Sequence, residues 1–167
     1  MDTALNISRY IVAKSWERER PITNLRLQRL LYFLQALSLV LTGNPAFEDE
    51  IKAWASGPVV PTVYYEYSIF GAGCIYDKND ARVTASMAKL VDSLFAVTDS
   101  YTASELADIA KNQSPWIDAN RITERNRRTY GWMWRDQYAG EIKVETIKAY
   151  FADIVEKKKK NKVICEV

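Results

Sequence analysis

The chain has 167 residues, 48% of them apolar, with five Trp, ten Tyr and five Phe; this suffices for one domain with a real core and argues against disorder. A net charge of +2 excludes a polycation or an acidic mimic of nucleic acid, and two cysteines cannot form a disulfide framework. There is no histidine, which removes the commonest general base, the commonest zinc ligand and any Ser–His or Cys–His nucleophile pair.

From Thr3 to about Arg18 the pattern is helical, with Leu5, Ile7, Tyr10, Ile11 and Trp16 facing inward. Glu17-Arg18-Glu19-Arg20 and Pro21 then form a solvated break. The organising element follows, a helix over residues 23–42. Leu27, Leu30, Leu34, Leu37 and Leu41 recur at steps of three and four, and Leu31, Tyr32, Phe33, Ala36, Leu39 and Val40 cover most of the remaining circumference. Thr23 is placed as its N-cap, Ile22 and Leu27 as a hydrophobic staple, and Gly43 as the left-handed C-terminal residue. Arg26, Gln28, Arg29 and Gln35 interrupt it, and the uncharged run from Leu30 to Leu41 is too short to cross a bilayer. It reads as a buried central helix, with Gln28 and Gln35 satisfying backbone groups of neighbouring loops.

Residues 46–55 read as a short hairpin or extended corner. Glu48-Asp49-Glu50 could hold a divalent cation, but without further carboxylate spacing these acids read as a solvent-facing turn. Gly57-Pro58 marks a turn and Pro61 opens a helix carrying Val63, Tyr64, Tyr67 and Phe70 on one side. Gly71-Ala72-Gly73 ends that helix and lacks the lysine and glycine of a phosphate loop, and Cys74–Val83 is a polar connection. Cys74, without an activating histidine, reads as an unreactive thiol. Thr84 caps a helix with Met87, Leu90, Val91, Leu94 and Phe95 inward, and Thr102 to Glu105 is a capping box. Ser114 and Pro115 start a short helix. Arg121–Tyr138 is basic and aromatic, and a final helix carries Val144, Ile147, Tyr150, Phe151, Ile154 and Val155 before Lys157–Lys160, a solvated helix end. The expectation is a mainly α, compact single domain of about six or seven helices around the central one, with at most a small β hairpin near 46–55. The domain is assigned to 1–156 and a lysine-rich tail to 157–167. Met1-Asp2-Thr3-Ala4 opens no signal peptide, so a cytoplasmic setting is expected.

The ordered set Ile22–Tyr32, then Phe47 and Ile51-Lys52-Ala53-Trp54, then Gly57-Pro58-Val59-Val60-Pro61 and Tyr64, resembles the Panacea antitoxin domain, also called the SocA-like or phage-associated GepA-like domain. Glu105-Leu106 and Ser114-Pro115-Trp116 are similar to that family's second half. The resemblance implies a non-enzymatic antitoxin of a type II system that binds and neutralises a cognate protein toxin encoded in the same operon. One branch of the family instead delivers its toxin to an ATP-dependent protease. Neither cofactor nor metal is implied, and no membrane partner.

The stretch Arg121–Tyr138 lies outside the family pattern. Its interleaved basic and aromatic residues suit protein hot spots or base stacking, so a nucleic-acid-binding regulator stands as an alternative to the toxin-binding module. If the stretch is extended, Tyr130, Trp132, Trp134 and Tyr138 share one face. The candidate partner-binding residues are therefore Trp54, Tyr64, Arg127, Arg128, Tyr130, Trp132 and Trp134. For Trp54 and the Gly57–Tyr64 motif, a purely structural role at a corner competes with recognition.

Overall fold

Leu27, Leu30, Leu31 and Leu34 have no exposed surface, and all four lie on helix α2 (Asn24–Thr42). The computed structural model describes residues 2–165, with side chains through Lys160. Helices α1 (Ala4–Glu17), α4 (Ala85–Thr98), α5 (Ala103–Lys111) and α7 (Val144–Cys165) all pack against α2. The remaining elements are strands β1 (Lys52–Trp54) and β2 (Gly57–Val59) and helices α3 (Pro61–Glu66) and α6 (Ser114–Tyr130). The described residues thus form seven α-helices and one small antiparallel sheet. None of these helices is long and apolar enough to cross a membrane.

Helix α2 begins where the Thr23 hydroxyl accepts from Arg26 N–H at 3.2 Å and ends where Gly43 turns left-handed at φ 77°. Its buried polar groups are spent on chain segments that cross it. Gln35 donates to Phe47 O at 3.0 Å and accepts from Ala46 N–H at 2.8 Å. Gln28 accepts from Val60 N–H at 2.9 Å and donates to the Asn24 side chain at 2.9 Å. These bonds fix the paths of residues 46–47 and 59–60, because a buried amide left unpaired would be costly. The helix is not surrounded along its whole length: Leu41 is 62% exposed, and Val40 is exposed beside it. Trp16, expected inward, is also half-exposed; its indole N–H donates to Ile75 O at 2.8 Å and so pins the connection after α3.

The hairpin occupies 52–59 rather than 46–55. Lys52 pairs with Val59, Ala53 with Pro58 and Trp54 with Gly57, leaving Ala55–Ser56 as the loop. Gly57-Pro58, read as a turn, is the second strand. The chain before the hairpin is anchored side chain by side chain: Asp49 accepts from Ala4 N–H at 2.9 Å and from the Thr62 hydroxyl at 3.1 Å, and Glu50 pairs with Lys52 at 3.2 Å. Among the described residues no group of three or more His, Cys, Asp or Glu converges as a metal site.

The later caps form as the sequence indicates. Thr84 accepts from Met87 N–H at 3.2 Å, and Thr102 and Glu105 close their capping box at 2.7 and 3.1 Å. Helix α6 differs. It is capped at Gln113, not Ser114, and it is long, running from Ser114 through the arginines to Tyr130. Helix α7 continues through Lys157–Lys160 to Cys165; Glu166 and Val167 of the assigned tail lie outside the described residues.

Helix α1 closes in a manner composition does not announce. Glu19 takes φ 55°, Glu19 N–H donates to Trp16 O at 2.9 Å, and Arg20 N–H donates to Ser15 O at 2.9 Å. This is the paired bonding of a Schellman end with a non-glycine residue at the left-handed position. Glu19→Gly is expected to raise stability by about 0.5–1 kcal/mol in urea unfolding, because glycine adopts that conformation without steric cost. A loss of stability would show that the Glu19 side chain contributes more than its backbone strain removes.

Candidate partner-binding surface

The hairpin and α6 build one face of the molecule together. Thr123, buried on α6, donates its hydroxyl to Ala53 O at 2.8 Å and accepts Gly140 N–H at 2.8 Å. Ala53 N–H donates to Gly140 O at 2.8 Å and Ile142 N–H to Ile51 O at 2.7 Å, so residues 140–142 flank β1 on its free side. The Trp116 indole reaches Trp54 O at 3.2 Å. These bonds hold Trp54 at the boundary between the hairpin, α3 and α6.

Beneath the hairpin loop lies Arg29, fully buried. It donates to Pro58 O at 2.9 Å and to Ser56 O, and no carboxylate pairs with it among the described residues. Burial pulls its pKa down to about 10. The backbone carbonyls substitute for a counter-ion, tying the hairpin to α2. Gly57 is required here: its φ is 122°, and a Cβ would lie 3.2 Å from the Arg29 guanidinium carbon.

Over this base the aromatic residues cluster. The Trp54 ring meets Tyr64 edge-on at 4.8 Å and Tyr65 at 6.0 Å, and the Trp54 indole N–H is buried without a partner among the described residues. Trp134 closes the far side, with the Arg127 guanidinium 4.6 Å over its ring. Asp136 accepts from the Tyr65 hydroxyl at 2.9 Å. Burial first, and then that bond to Asp136, raise the Tyr65 phenol above its ordinary pKa. Two hollows share Trp134 and Asp136: one of about 250 Å³ reaching Trp54, Ser56 and Arg127, the other of about 500 Å³ reaching Pro61 and Tyr65. Asp136 is the one carboxylate among the described residues that line either. The lining offers aromatic faces, two cations, Arg127 and Arg135, and the Asp136 carboxylate, which suits holding a partner's side chain.

Of the residues singled out in the sequence, Trp54, Tyr64, Arg127 and Trp134 come together on this face. Tyr130 joins at one remove: it stacks on Tyr138 at 3.9 Å, and Tyr138 meets Trp134 at 6.3 Å. Trp132 and Arg128 do not join it. The extended reading of Tyr130–Tyr138 does not hold, because α6 runs to Tyr130 and tight 3-10 turns follow at Gly131–Met133 and Asp136–Tyr138. Those turns break the two-residue alternation and leave Trp132 90% exposed. Arg128 lines a separate hollow on α6 with Arg121, Glu124 and Arg125. Tyr65 and Asp136 were missed. Tyr65 lies four residues after Pro61, one turn along the same face of α3, and that spacing was a usable signal; Asp136 carried none.

Residues of the chain are 36% identical over 72 positions to the protein named Antitoxin SocA of Caulobacter vibrioides (strain NA1000 / CB15N), which is 43% of this chain. The match spans 38% of that antitoxin's length. No solved structure matches the chain. Residues 27–117, from the leucine face of α2 through the hairpin to the start of α6, match the family described as Antitoxin SocA-like, Panacea domain, and the chain belongs to that family.

Proposed function

We propose that this chain is the antitoxin of a type II toxin–antitoxin pair and neutralises a cognate protein toxin by direct binding, with the Trp54–Trp134 face as the contact surface. Family membership supports the antitoxin role. The observation that carries the surface is the convergence of Trp54, Tyr64, Tyr65, Trp134 and Arg127 around two open hollows. Tryptophan, tyrosine and arginine are the residues that anchor protein interfaces, and shallow hollows between them receive partner anchors. In this reading the chain acts stoichiometrically in the cytoplasm, without turnover, and its partner is encoded in the neighbouring gene.

Trp134→Ala is expected to weaken toxin binding by at least ~2 kcal/mol, roughly 30-fold in Kd, with the melting temperature little changed. Trp132→Ala is the matched control: 90% exposed and outside the cluster, it should bind and melt like the parent. Binding lost with Trp132→Ala and kept with Trp134→Ala would move the interface elsewhere. Affinity that falls steeply with salt would instead favour phosphate contacts and a nucleic-acid partner, since an aromatic-centred interface responds weakly to salt. Toxin destroyed only when an ATP-dependent protease is added would mark the chain as a delivery adaptor.

A further inference from the structure

Away from the aromatic face, three guanidinium groups converge where the break after α1 meets the C-terminal end of α4. Arg18, Arg20 and Arg26, with Phe95 and Asp99, line a recess of about 220 Å³, room for roughly seven waters. Asp99 is the one carboxylate among the described residues that line it. It accepts from Arg18 and lies 3.4 Å from an Arg20 nitrogen. Arg20 also donates to Asp99 O at 3.2 Å, and Arg26 donates to Tyr101 O at 2.6 Å and Thr98 O at 3.1 Å. The Arg18 guanidinium lies 4.1 Å over the Phe95 ring. The adjacent acid Glu17 is turned to Lys14 at 2.9 Å.

Among the described residues lining the recess, three cations face one carboxylate, an excess of two positive charges. The end of α4 supplies only about half a negative charge, which does not balance them. Burial pulls the pKa of Arg26 below its ordinary value; Arg20 and Arg18 act in the same direction, against Asp99. The array stands on an ordered backbone: the left-handed Glu19 and the bonds donated by Glu19 N–H and Arg20 N–H fix the chain that carries Arg18 and Arg20, and Arg26 sits in the first turn of α2. Each guanidinium keeps N–H donors that no atom of the described residues engages.

We propose that this recess binds a phosphate group, either a free phosphate or diphosphate ion or the terminal phosphate of a nucleic-acid chain. A dianion supplies the two missing negative charges, and its oxygens match the planar donor forks of arginine, which a single carboxylate would satisfy only in part.

The test is isothermal titration of the full chain with inorganic phosphate and with diphosphate, at ionic strength held constant with chloride. Saturable one-to-one binding is expected, at least ~10-fold weaker in Arg20→Gln. The Arg20 side chain is 57% exposed, so that variant should melt like the parent. Asp99→Asn, which frees Arg18 and Arg20 from their internal carboxylate, should bind several-fold tighter, an outcome that a merely structural arginine cluster would not give. If Asp99→Asn melts early, Arg18→Gln takes its place and should weaken binding as Arg20→Gln does. Single-stranded DNA with a 5′-phosphate, compared with the same strand bearing a 5′-hydroxyl, assigns the source: tighter binding of the phosphorylated strand indicates a nucleic-acid end, equal binding a free ion. No heat beyond the chloride control, or equal affinity in Arg20→Gln, overturns the proposal.

Discussion

Replacing Gly140 by alanine is expected to destabilise the protein by at least about 3 kcal/mol, and denaturant unfolding will show it. An added Cβ would stand 2.0 Å from Ala119 O, 2.9 Å from Ala119 C and 3.1 Å from the Ile122 Cβ. The first two obstacles are helix backbone, which has no rotamer to escape into. Relief requires residues 140–142 to leave α6. That would break Gly140 N–H to Thr123 and Ala53 N–H to Gly140 O, both 2.8 Å and both buried on at least one side. Gly43→Ala is the contrast: its φ of 77° disfavours alanine, but no atom of the described residues lies within 4 Å of the added Cβ, so about 1 kcal/mol is expected. A loss under about 1 kcal/mol for Gly140→Ala would mean that the seam between the hairpin and α6 is looser than described.

The second large effect belongs to α2. Leu30→Ala and Leu34→Ala should each cost about 2–5 kcal/mol, since both side chains are wholly enclosed and each truncation leaves a cavity. Leu41→Ala, on the same helix but 62% exposed, should stay within about 0.5 kcal/mol. A uniform response along the three leucines would contradict the gradient of burial from the middle of α2 to its end. Any toxin neutralisation lost in the first two variants would then follow from unfolding, which separates them from Trp134→Ala.

The gradient shows where periodicity is informative. Spacing and caps identified α2, α4 and α5, because the stop and start groups are local: Thr23, Thr84 and the Thr102–Glu105 pair act within one turn of the residues that carry them. The hairpin was displaced because Gly57 was read as serving a turn, whereas its glycine answers to Arg29, 28 residues earlier and buried beneath it. No local rule contains that approach. Helix α6 runs past the short helix expected because the basic and aromatic composition of Arg121–Tyr138 sets that stretch apart, although its positions fit a helix with one face on the hairpin. For the candidate surface, residue type led to Trp54, Tyr64, Arg127 and Trp134. Separating Trp134 from Trp132 needed the turns at Gly131–Met133 and Asp136–Tyr138, which the strand-parity argument replaced with the wrong period.

Helix α2 is covered by α1, from before it in the chain, and by α4, α5 and α7, from well after it. Its enclosure is therefore a property of the whole sequence and of no contiguous half. A fragment ending before α7 or starting after α1 would present a bare leucine surface to water, so the domain has no natural seam at which one part can open while the rest stays folded. Unfolding should then be a single cooperative event that exposes every helix at once. If the proposed binding role holds, this makes the active population switch-like: a molecule either offers the intact Trp54–Trp134 face or offers none of it.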